Sequence, residues 1–200
     1  MSCWALVPVK ARHEGKQRLA GALPGGARIQ LMDVMLARVL HATRHCPEID
    51  ELCVLTPERA GLPPDIRLLP DTGCGLNESL QAALPVLQAH GATRTVIVFA
   101  DLPLIESADL SALVAAAAPT RVALAPDHGG SGTNGLCLTL PSAFQLCFGP
   151  GSFARHLQEA ARIGATVAPI RRDGLAFDID EPDDLGRLQS RNDPRYAFLP

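Results

Sequence analysis

The sequence predicts a single α/β domain with a mostly parallel central sheet flanked by helices, and three observations carry that prediction. Short apolar runs such as Thr95-Val96-Ile97-Val98-Phe99, rich in β-branched residues, read as strands buried on both faces, and stretches of helical periodicity separate them. Two hundred residues with 47% hydrophobic content are ample for one core, and a second domain is not expected. The central run stops abruptly at Asp101-Leu102-Pro103, which places a carboxylate at a strand's C-terminal end, the rim where open α/β sheets bind ligands. Capping of the turn into the next helix is the plainer role for Asp101, and the rest of the chain decides between the two.

Composition narrows the function. A formal net charge of -3 without a basic stripe argues against nucleic-acid or anionic-membrane partners. The first residues lack the charged and apolar regions of a signal peptide and no run approaches a membrane span, so a cytoplasmic protein with small-molecule partners is expected. Six cysteines without a Cys-x-x-Cys pair make a zinc or redox motif improbable. Of 18 basic residues only Lys10 and Lys16 are lysines, and both fall in one N-terminal loop. Codon bias explains a shortage of lysine but not where the survivors sit; a compact ammonium on a flexible stem suits a polyphosphate.

In chain order, residues 3–9 read as the first buried strand, followed by a polar loop from Lys10 to Leu19. Ile29, Met32, Val34, Met35, Val39 and Leu40 keep near-helical spacing, and Pro47 ends that helix before a second strand at 51–56. His41 and His45 lie one turn apart but have no third soft ligand, so an amphipathic face explains them better than a metal. A short strand at 66–69 delivers Asp71-Thr72-Gly73-Cys74-Gly75-Leu76-Asn77. Alternate glycines there let backbone N–H groups approach a ligand, and Asn77 is placed to cap a helix running to about Ala89. The turn is neither a Walker loop nor a Gly-x-Gly-x-x-Gly fingerprint.

Beyond the central strand, a helix is predicted from Ser107 to Ala117 and a strand over 121–125. The loop from Pro126 to Gly135 holds four glycines with Ser131, Thr133 and Asn134 among them, a composition suited to an anion cradle, and strand resumes from Leu136 to Leu140. Gly149-Pro150-Gly151-Ser152 reads as a helix start with Ser152 as N-cap, its hydroxyl and the first N–H groups forming a phosphate or carboxylate site. A nucleophile elbow is excluded, because Ala154 stands where that motif needs glycine. In Phe177-Asp178-Ile179-Asp180, read as a strand, both carboxylates share one face, where they repel unless a cation lies between them. Pro182 and its acidic neighbours open a last helix, for which Asp180 is also a reasonable cap.

Asp101, Asp178 and Asp180 each end a predicted strand, so a parallel sheet brings them to one rim. Three hard oxygen donors without histidine or thiolate suit Mg²⁺, and with two lysines and several anion sites they suggest an enzyme holding two phosphorylated ligands against one metal.

Taken together, Val7-Pro8-Val9-Lys10 with Lys16-x-Arg18-Leu19, Asp71-x-Gly73-x-Gly75-Leu76-Asn77, Asp101-Leu102-Pro103-Leu104, Gly132-Thr133-Asn134, Gly149-x-Gly151-Ser152-Phe153 and Asp178-x-Asp180-x-Pro182 resemble the CofC/FbiD family, guanylyltransferases of coenzyme F420 biosynthesis. The resemblance implies a Rossmann-like, GT-A-like nucleotidyltransferase fold over residues 1–190 with a C-terminal tail at 191–200. It implies transfer of GMP from GTP to 2-phospho-L-lactate, phosphoenolpyruvate or 3-phospho-D-glycerate with release of pyrophosphate. By the matched motifs, Asp101, Asp178 and Asp180 would hold Mg²⁺, and Lys10, Lys16, Arg18, Asp71, Gly73, Gly75 and Asn77 would lie along the GTP site. Thr133, Gly149 and Ser152 would hold the acid, with Lys10, Lys16 and Asp101 nearest the chemistry. Gln17, Cys74 and His128 depart from the family pattern; Cys74 and His128 are expected to read an extra hydroxyl, which would favour 3-phospho-D-glycerate. The alternatives are a molybdenum-cofactor or sugar-phosphate nucleotidyltransferase, disfavoured by Val7-Pro8-Val9-Lys10 in place of a Leu-Ala-Gly-Gly opening, or a non-catalytic nucleotide-binding regulator. The apolar Tyr196 to Leu199 end is read either as a homodimer contact or as an unstructured tail.

Overall fold

The computed structural model describes residues 1–10, 15–59, 61–71 and 73–199, and of 118–121 the backbone alone. Residues 11–14 of the expected phosphate loop and Thr72 of the glycine turn lie outside these. Strands β1 (Cys3–Pro8), β2 (Glu51–Thr56), β3 (Arg67–Pro70), β4 (Arg94–Val98), β5 (Arg121–Pro126), β6 (Thr133–Thr139) and β7 (Thr166–Pro169) form one sheet in the order β3-β2-β1-β4-β6-β5-β7. All neighbours are parallel except β6, which runs antiparallel to both β4 and β5. The antiparallel strand brings its N-terminal end, Thr133, to the same rim as the C-terminal ends of the others.

Side chains alternate across the sheet and so divide the core into two layers. On one face Val96 and Val98 of β4 pack with Val39 and Leu40 of α1 (Gly25–Arg44) and with Leu110 and Leu113 of α3 (Ser107–Thr120). On the other, Ile97 packs with Leu80, Leu84 and Leu87 of α2 (Leu76–Ala89) and with Ala160 of α4 (Ser152–Arg162). Leu6, Val96, Ile97 and Val98 are fully buried, and each such side chain contributes roughly 1.5–3 kcal/mol of transfer free energy. Within α1 the buried stripe is Leu31, Met35, Val39 and Leu40, whereas Ile29, expected on it, is 42% exposed.

A third apolar cluster positions the site. Leu19, Leu31 and Met35 from the N-terminal third meet Phe177, Ile179, Leu185 and Leu188 from the C-terminal end, including α6 (Pro182–Gln189). Tyr196 and Leu199 are buried in the same cluster, and the Tyr196 hydroxyl donates to the Pro103 carbonyl at 3.1 Å. The expected tail is thus bound into its own chain. Among the described residues no helix is long and apolar enough to cross a membrane.

Two strand boundaries differ from expectation. Residues 177–180 alternate as predicted, with Phe177 and Ile179 buried, but this extended segment is not part of the sheet; it links the short helix α5 (Asp173–Ala176) to α6. The carboxylates therefore share a face through local geometry, without a ladder. Thr133 and Asn134 belong to β6, not to the preceding loop, because pairing with β5 continues past a bulge at Ala125/Pro126 as far as Pro126 opposite Thr133.

Candidate active site

Lys16 is the hub of the rim. Its ammonium lies 2.6 Å from Asp101 Oδ2 and 2.8 Å from Asp180 Oδ1, bridging groups 85 and 164 residues away in sequence. The Lys16 side chain is 10% exposed, against 27% for Asp101 and 51% for Asp180. Burial alone would lower the lysine's pKa, but the two carboxylates outweigh it and raise it. Burial likewise works to raise Asp180, and the Lys16 charge and hydrogen bond, with smaller help from Arg18 and Lys10, hold it below the usual range. Lys16 has left-handed backbone (φ 53°), a conformation costing a non-glycine residue about 1–3 kcal/mol. It begins the 3-10 turn Gln17–Gly21, which buries Leu19 and so fixes where the ammonium points.

Asp178 completes the acidic cluster. Burial first, then the charges of Asp101 and Asp180, push it up to about 6, with a hydrogen bond from Asn134 opposing. His128 Nδ1 approaches Asp178 Oδ1 at 3.9 Å. A groove of about 540 Å³ runs along this side, lined among others by Arg18, Asp127, His128, Asp178, Asp180 and Arg187. Lys10 is exposed at the end of β1 and Arg18 is exposed, its guanidinium a loose 3.9 Å from Glu181. Among the described residues no three His, Cys, Asp or Glu side chains form a closed ligand array; the Lys16 ammonium stands between Asp101 and Asp180. Asp101, Asp178 and Asp180 are nonetheless all hard oxygen donors of the kind a divalent cation takes, and their three charges exceed the one of the lysine between two of them.

The glycine turn after β3 is held from within. Asp71 Oδ1 accepts the Gly73 N–H at 2.9 Å and the Ser79 hydroxyl at 2.5 Å, so Asp71 shapes the turn. Gly73 and Gly75 take φ values of 72° and 118°, which explains why both are glycine. Gly75, not Asn77, is the N-cap of α2, and among the described residues no side chain caps that helix. Asn77 instead clamps the backbone of Phe148, accepting its N–H at 2.7 Å and donating to its carbonyl at 3.1 Å.

That clamp leads to the other half of the rim. Gly151 is the N-cap of α4, with φ 69°, and Ser152 is already helical, so the expected serine cap is absent. The Ser152 and Phe153 N–H groups donate to the carbonyls of Gly149 and Ser131, and the Ser152 hydroxyl donates to Thr133 Oγ1 at 3.2 Å. The glycine-rich loop before β6 likewise cradles an anion of its own: Asp127 accepts the N–H groups of Ser131 at 2.9 Å and Gly132 at 2.7 Å. Both anion sites expected here therefore have these donors engaged within the protein. Thr133 and Ser152 meet fully buried His156, whose Nδ1 is 3.0 Å from Thr133 Oγ1 and whose Nε2 accepts the Cys147 N–H at 3.0 Å.

Residues 3–197 match the family described as guanylyl transferase CofC like. The chain belongs to that family. It is 40% identical over 203 residues to the phosphoenolpyruvate guanylyltransferase of Rubrobacter xylanophilus, covering 98% of each chain. It is 34% identical to the 2-phospho-L-lactate guanylyltransferase of Methanothermobacter thermautotrophicus, covering 98% of this chain and 88% of that one. Among solved structures, a Desulfovibrio desulfuricans G20 protein named for nucleotide-diphospho-sugar transfer superposes with a TM-score of 0.82 at 16% identity, over 100% and 94% of the two chains. A CMP:2-keto-3-deoxy-manno-octonic acid synthetase complexed with CTP superposes with a TM-score of 0.65 at 13% identity, over 96% and 98%. These two similarities bear on fold alone, and establish it as that of the nucleotidyltransferases.

In this guanylyltransferase the sequence-derived residues thus fall into groups. Asp101, Asp178 and Asp180 converge at one rim, Lys16 joins Asp101 to Asp180, a bridge the sequence did not predict, and Arg18 and Lys10 lie at the margin. Asp71 and Asn77 support loops, and Thr133 and Ser152 join in one hydroxyl pair. His128 faces Asp178, while Cys74 is exposed in the glycine turn on a different element. Sequence reasoning passed over His156. Its signal was the spacing of Ser152, His156 and Ala160, the buried stripe of α4, with an ionisable ring in its middle.

Proposed function

We propose that this guanylyltransferase transfers GMP from GTP to the phosphate of a phosphorylated three-carbon acid, with Mg²⁺ as cofactor and in coenzyme F420 biosynthesis. Phosphoenolpyruvate is the preferred acid, since the relative at 40% identity bears that name and the 2-phospho-L-lactate enzyme stands at 34%. The Lys16 clasp on Asp101 and Asp180 is the observation that carries the reading. It concentrates one bound ammonium and an excess of carboxylate at the rim where β1, β3, β4 and β6 converge.

A phosphate oxygen of the acid attacks the α-phosphorus of GTP, the bond from that phosphorus to the β-phosphate oxygen breaks, and pyrophosphate leaves. The attacking oxygen is already ionised, so no general base is needed; the work is to align two polyanions and stabilise the departing charge. Asp101, Asp178 and Asp180 would hold the Mg²⁺, which when bound neutralises phosphate charge. Lys16 then moves its ammonium from the carboxylates to the phosphates, aided by Lys10 and Arg18. Asp71 holds the Gly73 N–H and so fixes the shape of the glycine turn, and the start of α2, whose N-cap Gly75 has no side chain, would offer its backbone N–H groups to the nucleotide. Gly149, Thr133 and Ser152 border the acid.

The test is pyrophosphate release from GTP with and without Mg²⁺ and each acid, with mass spectrometry of the product from a mixture of the three acids. Guanylylated phosphoenolpyruvate as the main product supports the reading; no transfer to any acid overturns it. A dominant 3-phospho-D-glycerate product would instead support the hydroxyl-reading role expected of Cys74 and His128.

A further inference from the structure

The hydroxyl cluster beside α4 contains a group that the reaction above does not use. His156 has no exposed surface and both of its ring nitrogens are engaged. A backbone N–H can only donate, so the bond from Cys147 makes Nε2 the acceptor and leaves the ring proton on Nδ1. Nδ1–H then donates to Thr133 Oγ1 at 3.0 Å. The Ser152 hydroxyl donates to the same oxygen at 3.2 Å. A threonine hydroxyl has two lone pairs and one proton, and both lone pairs are thereby filled. Its own proton is left for a third partner, and Thr133, although buried at 4% exposure, is the first residue of β6, at the rim.

We infer that His156 is a positioning residue for the acid substrate: with Ser152 it fixes the Thr133 hydroxyl as a donor only, aimed at a carboxylate or phosphate oxygen of the acid. The inference rests on the function proposed above and adds a polarity to the acid site. A ligand presenting an ionised oxygen is matched, while one presenting an N–H or O–H at that point meets proton against proton. The low basicity of the buried imidazole keeps this polarity intact near neutrality, because a second ring proton would face the Cys147 N–H. The surroundings keep Nε2 in place. Cys147 lies in a segment held by Gln81 at Phe144 and Leu146, by Asn77 at Phe148, and by Arg155 at the Cys147 carbonyl.

The test compares wild type, His156→Phe and His156→Asn, with KM measured separately for phosphoenolpyruvate and for GTP. His156→Phe should raise the KM for phosphoenolpyruvate about tenfold, the scale of one lost hydrogen bond to a charged oxygen, and leave that for GTP within about twofold. His156→Asn, which can return an N–H near the Nδ1 position, should recover most of the loss. In wild type, ¹⁵N NMR should place the ring proton on Nδ1, a readout that needs no turnover and no variant. Equal rises in both KM values, an unchanged phosphoenolpyruvate KM, or a proton on Nε2 would overturn the inference. Wild-type protein that transfers GMP to none of the acids would remove the proposed function and this inference with it, whereas wild-type transfer without the KM split removes the inference alone.

Discussion

Replacing His156 by glutamine should flatten the acid limb of the stability curve. Burial first, then the positive charge of Arg155, with Glu159 partly offsetting, lower the imidazole's pKa to about 4. In an unfolded chain it titrates at about 6.5. Between these values the unfolded chain binds a proton that the folded one refuses, so stability is full above pH 7 and falls as pH drops towards 4. The loss worked from the two pKa values is about 2 kcal/mol at pH 5 and about 3 kcal/mol at pH 4. No discount for solvent screening applies, because the ring has no exposed surface. Urea unfolding of wild type, His156→Gln and His156→Asn from pH 7.5 to pH 5 isolates the effect, since other titrating groups are common to all three proteins. Each variant is offset at every pH by its changed hydrogen bonds, and that offset should shrink by about 2 kcal/mol at the acid end. Parallel curves would refute the reasoning, showing that His156 accepts its proton in the folded protein as readily as in the unfolded one.

Three further outcomes follow from the site. Lys16→Met should lower the steady-state rate of pyrophosphate release about a hundredfold or more, as removal of a preorganised charge at reacting oxygens does, and a rate within a few-fold of wild type would remove Lys16 from the chemistry. Gly75→Ala forces φ 118° on a residue with a Cβ, 2.6 Å from Glu78 Oε2, and should cost more than about 1 kcal/mol in urea unfolding while raising the KM for GTP. Asn77→Ala removes both bonds to Phe148 and should destabilise by about 2 kcal/mol, with the KM for the acid rising although Asn77 belongs to the nucleotide-side helix.

The buried strands were legible because their apolar runs are locally self-sufficient: β1, β2, β4 and β5 fall within a residue or so of where composition put them. The short edge strand β7, ending at Pro169, has no such run and gave no signal. Residues 177–180 show the limit of periodicity. Alternate burial of Phe177 and Ile179 reports two environments but not a hydrogen-bonded neighbour, and here helices and the N-terminal turn supply the apolar side. The three aspartates were legible from their places at the ends of apolar runs, yet the Lys16 bridge was not, because a contact across 164 residues depends on packing that no local window contains. The internal contacts of the glycine-rich stretches were hidden for a related reason. Composition shows that N–H groups are accessible but not that Asp127 and Asp71 of the same chain accept them.

The polar site owes its geometry to apolar residues interleaved with it. Leu19 is three residues from Lys16, and Phe177 and Ile179 alternate with Asp178 and Asp180; all three apolar side chains enter the same cluster with Leu31 and Met35 of α1. Burying that cluster therefore drives Lys16 and the two aspartates together against their desolvation cost, which neither partner could offset at the surface, where an isolated ion pair contributes little. The tail extends the same device to Asp101. Tyr196 bonds the Pro103 carbonyl and Arg38 the carbonyls of Leu104 and Ile105, fixing the loop that carries the aspartate. Asn77 performs the corresponding task between the glycine turn and the Gly149 loop. Two anionic substrates repel each other in water, and bringing them into line requires that their half-sites not yield. Connections made through backbone carbonyls and amides satisfy that requirement, and the buried cluster holds Lys16 at the junction of the two.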